Sequence, residues 1–322
     1  MVATALQFKI SSCRNVKQIQ TTFTAFAAIL ADGSVVAWGN PDRGGDCSAV
    51  QDQPKNVTQI QAAKHGAFAA ILADGSVVAW GNPDIGGDCF EVQDQLSNVK
   101  QIQATGGAFA AILANGSVVT LGGPVYGSDC SAVQDQLRNV EQIQATSTAF
   151  AAILADGGVV AWTWFLWWLL LADGSVVAWG DPDCGGDCSA VQDQLRNVRR
   201  IQATYMAFAA ILDDGAVVTW GDHRFGGDCS SVQDHLKNVM QIQATVTGAF
   251  AAILADGSVV AWGNPACGGD CSAVQDQLKD VEQIQPVRDG FAAVLADGSV
   301  VAWGKRLYGG DCSAVQDQLR SL

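Results

Sequence analysis

A unit of about 41 residues recurs seven times along this chain, starting at Val16, Val57, Val99, Val140, Val198, Val239 and Val281. Repeats of that length mean a stacked array or a closed ring, because one such unit cannot bury its own apolar face and needs neighbours against it. Each copy runs through a VxQIQAT-like segment, three or four variable residues, a stretch like AFAAILADGSVVAWG, four more variable residues, then one like GGDCSAVQDQLxN. The constant positions are scaffold, so differences between copies are confined to two short stretches.

Within a copy, AILADGSVVAW reads as a hairpin: two apolar, β-prone runs flank Asp-Gly, the pair suited to the positive φ angles of a tight primed turn. In the first unit this places strands at about Ala25 to Ala31 and Ser34 to Gly39. The preceding VKQIQA alternates like a half-buried strand, with Ile19 and its copies pointing inward. Ser48 to Gln51 is expected to add a short fourth strand. The alanines suit close sheet approach, and Trp38, Trp80, Trp179, Trp220, Trp262 and Trp303 supply a large wedge between sheets, a cue for propeller blades.

The expectation is therefore an all-β chain forming a seven-bladed β-propeller, each blade of three or four antiparallel strands. Residues 16–322 would form one domain, closed by packing of the Val281 unit against the Val16 unit. Residues 1–15 would be an N-terminal segment adding a closing strand through Leu6 to Ile10. Hairpin logic also assigns faces: the variable loop after the first strand and the one after WG share one face, and the near-identical Asp-Gly turns occupy the other.

With 322 residues, 49% of them apolar, the chain can bury a large core. Its net charge is -14, but 21 acidic residues sit at three fixed repeat positions, those of Asp32, Asp46 and Asp52, so the acidity belongs mostly to the scaffold. No basic run or stripe of the kind that displaces counterions from phosphates is present, which argues against direct nucleic-acid binding. The start, MVATALQFKI, lacks the long apolar core of a secretory signal, so a cytoplasmic or nuclear location is expected.

Seven of the ten cysteines (Cys47, Cys89, Cys130, Cys188, Cys229, Cys271 and Cys312) hold the same repeat slot. Equivalent slots lie a blade apart, beyond the roughly 4.4–6.8 Å that a disulfide spans. Cys184 with Cys188, and Cys267 with Cys271, form CxxxC pairs without the further ligands that tetrahedral zinc requires. Buried, reduced thiols are expected, with no metal and no cofactor.

The fourth unit is 17 residues too long. From Val159 it runs VVAWTWFLWWLLL before ADGSVVAWG restarts, which reads as an extra hairpin left by a partly deleted unit. A membrane-spanning helix needs about 20 apolar residues, more than this stretch supplies, so no membrane partner is expected. Either Trp162 or Trp179 fills the wedge position of this unit.

The string AFAAILADGSVVAWGNPDRGGD resembles the repeat of the regulator of chromosome condensation family, whose pattern passes through an apolar strand to DGxVxxWGxNxxGQLG. The resemblance recurs in all seven units, although GGDC stands where the family has GQLG. The short unit is similar to that of the bacterial secreted propeller that inhibits β-lactamases. The resemblance implies a seven-bladed propeller that binds proteins. Members include an exchange factor for a Ran-type small GTPase, propellers attached to HECT-type ubiquitin ligases and a plant ultraviolet-B photoreceptor. The photoreceptor's GWRHT motif is absent here, and no exchange-factor wedge insertion is visible.

No catalytic constellation emerges. The only histidines are His65, His223 and His235, the serines and cysteines are repeated slots, and Gly44-Gly45 lacks the Lys-Ser/Thr of a phosphate loop. The expected function is a binding module, not an enzyme, presenting its variable face to a protein partner while remaining a monomer. Candidate partner-binding residues are Phe23, Lys64, His65, Tyr205, Met206 and Arg288 in the first loop. The second loop contributes Arg43, Tyr126, His223, Arg224, Phe225, Arg306 and Tyr308. The competing expectations are a guanine-nucleotide exchange factor, a substrate-binding propeller of the ligase type, or a little-diverged array with no specific function.

Overall fold

A computed structural model describes residues 16–48, 56–131, 133–155, 159–160 and 178–313. The expected N-terminal closing strand and the extra hairpin of the fourth unit fall outside these residues. Seven antiparallel sheets follow one another, one per repeat. In blade 1 the strands are Val16–Thr21, Ala25–Leu30 and Val35–Gly39, and the same order recurs in every unit. The first strands of successive blades lie against each other, with Gln18 Nε2 donating to the Ile60 carbonyl of the next blade at 3.1 Å, so these strands are innermost.

The Asp-Gly turn differs from the primed turn expected. Gly33 N–H donates to the Leu30 carbonyl at 3.0 Å, and only the glycine is left-handed, at φ 80°. This is a right-handed turn followed by a left-handed glycine, the common three-residue hairpin loop. Asp32 Oδ1 accepts from both the N–H and the hydroxyl of Ser34, at 3.0 and 2.6 Å, which keeps Asp32 right-handed and leaves the reversal to Gly33.

The expected fourth strand is also corrected. Its counterparts Phe90–Gln95, Ser189–Gln194 and Ser272–Gln277 are 3-10 helices. Asp88 Oδ1 accepts from the Phe90 N–H at 2.9 Å, and Cys89 Sγ donates to Gln93 Oε1 four residues on at 2.9 Å, closing helical turns where a strand would stay open. Gln93 Nε2 then donates to the Val77 carbonyl, which clips the segment to its own blade. In the first unit Ser48 N–H starts the same turn on Asp46 Oδ1.

The core lies between blades. Six clusters of buried side chains mark the six interfaces from blade 1 to blade 7. At the first, Ala25, Ala27 and Ile29 of blade 1 meet Ile60, Phe68 and Trp80 of blade 2. Fully burying such a side chain contributes roughly 1.5–3 kcal/mol.

Blade 4 keeps its register across the long insertion. Ala152 pairs with Val160, and the next residue along the middle strand, Ala151, pairs with Ala178. The pairing of Ala178 therefore continues that of Val160 one register position later, and Trp179, stacked on Phe150 at 5.2 Å, fills the wedge position.

The expected packing of the last blade on the first is not present among the described residues. Ile19, Phe26 and Trp38 are 52, 43 and 42% exposed, whereas their blade 2 counterparts Ile60, Phe68 and Trp80 are 1, 0 and 4% exposed. Among the described residues, no blade covers this apolar face of blade 1.

Removal of residues 161–177 joins Val160 to Ala178 and restores VVAWG, the third strand of the other blades. The excised run is apolar and aromatic-rich, with Asp173 its single charge, an aggregation-prone composition. The shortened protein is expected to be more soluble and to melt at a higher temperature in a thermal unfolding scan; a lower melting temperature would mean that the insertion supports blade 4.

Candidate functional site

Both variable loops lie on one face. Asn40 N–H in the second loop of blade 1 donates to the Thr24 carbonyl in the first at 2.9 Å, and Thr22 Oγ1 bonds the Arg43 carbonyl. The second loop forms because Asn40 Oδ1 caps a short 3-10 turn, Pro41–Arg43, which Gly44 ends in the left-handed region at φ 90°. The first loops link from blade to blade around the inner rim. His65 N–H donates to Gly106, Gly106 N–H to Ser147, Ser147 N–H to Tyr205, and Tyr205 N–H to Val246, each at 2.7–3.0 Å.

This rim gathers the candidate residues into three groups. In blades 1 to 3, Phe23 meets His65 edge-on at 5.5 Å and His65 meets Tyr126 at 5.2 Å. Arg43 donates from Nη1 to the His65 carbonyl, and Lys64 Nζ donates to the Thr21 carbonyl. In blade 5, Tyr205 lies 6.2 Å from Phe225, with Met206 half-buried beside it in sequence. Arg224 is bound to Asp222, its Nη2 lying 2.6 Å from Oδ2, and this contact holds the Asp222 carboxyl below the usual carboxylate range. His223 lies 3.8 Å from the same carboxylate.

In blade 7, Arg288 and Lys305 sit over the Tyr308 ring at 5.5 and 5.2 Å, within cation–π range. The carboxylate of Asp289, buried beneath, lies 3.9 Å from Lys305 Nζ and 4.0 Å from Arg288 Nε, and it accepts from Thr247 Oγ1. Arg306 turns away to Asp311 at 3.0 Å.

Phe23, Lys64, Tyr205, His223, Arg224, Arg288, Arg306 and Tyr308 are exposed, while Arg43, His65, Tyr126, Met206 and Phe225 are half-buried. Phe225 in particular packs on the next blade, where a Cβ at Gly248 would come 2.7 Å from its ring. Sequence reading passed over Val125, Val246, Val287 and Leu307, which are 73, 61, 43 and 86% exposed in the same loops. Their signal was position in the variable stretches, although position alone does not decide it, since Ile85 in the second loop of blade 2 is buried between blades 2 and 3. Asp289 was also passed over; it stands where other copies have a small residue or methionine.

The opposite face carries no exposed large apolar residue in its described Asp-Gly turns. The Ser34, Ser76 and Ser258 hydroxyls hold Asp32, Asp74 and Asp256 below the usual carboxylate range, and Asp214 accepts from the Ala216 N–H instead. The repeated cysteines are interior clips. Cys130, Cys229 and Cys271 donate to Gln134, Gln233 and Gln275 at 2.8–3.1 Å, and burial raises their thiol pKa. No helix among the described residues is long and apolar enough to cross a membrane.

No protein-family model and no curated protein matches the chain. Solved structures do. Human WBSCR16 aligns over 88% of this chain and 87% of its own, at 14% identity and a TM-score of 0.50. Prp20p from Saccharomyces cerevisiae, a protein studied for its binding to Gsp1p and histones, aligns over 78% of this chain and 72% of its own, at 16% identity and a TM-score of 0.46. The chain shares the fold of human WBSCR16, and its seven antiparallel sheets are those of a seven-bladed β-propeller. In this propeller the GGDC cysteine bonds the glutamine four residues on, so the departure from the family's GQLG falls on scaffold and not on the loop face.

Because burial raises the pKa of Cys89, Cys130, Cys188, Cys229 and Cys271, little thiolate is present at neutral pH, and thiolate is the reactive form. A thiol-labelling time course at neutral pH is expected to modify these five only as fast as the protein unfolds. Rapid labelling of any of them in the native protein would contradict the clip role.

Proposed function

We propose that the chain is a protein-binding propeller whose variable-loop face is the recognition surface. The observation that supports this most is where exposed large apolar side chains concentrate outside the strands of blade 1. Phe23, Val125, Tyr205, Val246, Val287, Leu307 and Tyr308 come from the two loop sets on this face, against Phe90 and Met240 elsewhere. Apolar patches of this kind mark interaction sites, and aromatic side chains beside arginine dominate binding energy at protein interfaces. The cations of Arg288 and Lys305, held over Tyr308 by the buried Asp289, suit a partner surface that combines acidic and apolar groups. The rim is braced from blade to blade by backbone hydrogen bonds, so little ordering cost accompanies binding.

Alanine at Phe23, Tyr205 and Tyr308 together removes an exposed anchor from each of the three groups and spares Phe225, which holds two blades together. With hot-spot truncations costing roughly 2 kcal/mol or more, a partner recovered by affinity capture should bind the triple variant at least about tenfold more weakly by calorimetry, a decade being about 1.4 kcal/mol. Alanine at Asp32, Asp74 and Asp297 on the opposite face should leave the affinity unchanged. Equal loss from that second set, with both variants folded, would place the binding surface on the other side.

A further inference from the structure

We propose that the uncovered face of blade 1 docks the trailing face of blade 7 of a second copy of this chain, head to tail, through the interface that already joins the blades. The face of blade 1 consists of Val16, Ile19, Phe26 and Trp38, 42–52% exposed, where the corresponding residues of blade 2 are at most 4% exposed. Phe26 and Trp38 are nevertheless stacked at 5.1 Å and 6° between planes, so the wedge stands assembled before anything covers it.

The complementary surface lies at the other end of the chain. At each junction the left-handed glycine of the second loop makes room for the next blade's phenylalanine. A Cβ at Gly44 would come 2.6 Å from the Phe68 ring, one at Gly226 2.6 Å from Phe250, and one at Gly268 2.8 Å from Phe291. Gly309 keeps the same geometry, φ 89°, but a Cβ there would meet only Val287 of its own blade, at 3.8 Å. Among the described residues, the groove for a phenyl ring is thus formed and unfilled.

The polar half of the joint matches as well. Trp80, Trp220, Trp262 and Trp303 donate from Nε1 to the carbonyls of Gly44, Gly185, Gly226 and Gly268 at 3.0–3.1 Å. Among the described residues Trp38 makes no such bond, and the Gly309 carbonyl occupies the equivalent acceptor position. Beside it, Ala292 and Val294 are half-buried, where Ala27 and Ile29 of blade 1 are 0 and 1% exposed beneath blade 2. The blade turn is open too: a Cβ at Gly298 would meet nothing within 4 Å, whereas one at Gly33 would lie 2.7 Å from Asn56 Cα of the next unit.

A second copy is the occupant that these observations select. The exposed indole and phenyl need a left-handed glycine groove with a carbonyl at its lip, and this chain carries that groove uncovered at its far end. Such a contact is heterologous, so it propagates until a ring closes. It replaces the monomer expected from sequence.

The test uses two full-length variants, Phe26→Asp, which blocks the blade 1 face, and Val294→Asp, which blocks the blade 7 face, followed by sedimentation across a concentration series. The wild type is expected to gain mass with concentration beyond a dimer. Each variant alone should stay monomeric, and an equimolar mixture should form a dimer that grows no further, because one intact face of each kind remains. A wild type that is monomeric throughout, a mixture that stays monomeric, or self-association of Val294→Asp alone would overturn the proposal. Should either aspartate variant fail to fold by circular dichroism, Trp38→Ala replaces this readout: at least a tenfold weaker self-association is expected, and unchanged association would overturn the proposal equally.

Discussion

One contact recurs down the chain and the rest of the structure depends on it: a stacked phenylalanine and tryptophan from one blade resting on a left-handed glycine of the blade before. The glycine does two things at once. Its missing Cβ leaves room for the phenyl ring, and its carbonyl accepts the indole N–H, so the largest apolar side chain of the repeat is buried without an orphaned donor. The other constant features follow from this joint. Strand alanines are small because the blades must approach closely, and the residue that opens units 2 to 7, asparagine or in the last Asp280, is left-handed at φ 54–75° and seats against the glycine of a preceding hairpin turn. Blade 3 shows the tolerance of the design, since Leu121 keeps the apolar half of the contact and gives up the hydrogen bond.

The same economy explains where recognition resides. A repeat whose two broad faces are consumed by its neighbours has only its ends free to vary. One end is fixed by the serine-capped aspartate turns, which leaves the two loop sets on the opposite face. Their backbones are braced by asparagine caps and rim hydrogen bonds, while side chains such as Phe23, Tyr205 and Tyr308 stay exposed. Scaffold and surface are thereby separated residue by residue.

Much of this was legible in the sequence because periodicity reports on packing. The strand order, the inward isoleucines, the tryptophan wedge and the shared face of the variable loops all follow from constant positions at constant spacing. What was not legible depended on local hydrogen bonds that periodicity does not encode. Asp32 pairs with Ser34 and converts a primed turn into a right-handed one, and Cys89 bonds Gln93 and winds an expected strand into a 3-10 helix. The exposed end of blade 1 was hidden for another reason: Ile19, Phe26 and Trp38 are the residues that six other copies bury, so nothing in their identity announces exposure. Phe225 likewise reads as a surface aromatic until its packing at Gly248 is seen.

The most direct test of the account compares tryptophan truncations one blade at a time, by denaturant unfolding in dilute solution. Alanine at Trp80, Trp220, Trp262 or Trp303, each 2–4% exposed, should cost about 3–5 kcal/mol, whereas alanine at Trp38, 42% exposed, should cost roughly half of that or less. Comparable losses at all five positions, or small losses at the four interior ones, would contradict a structure held together by the wedge between blades.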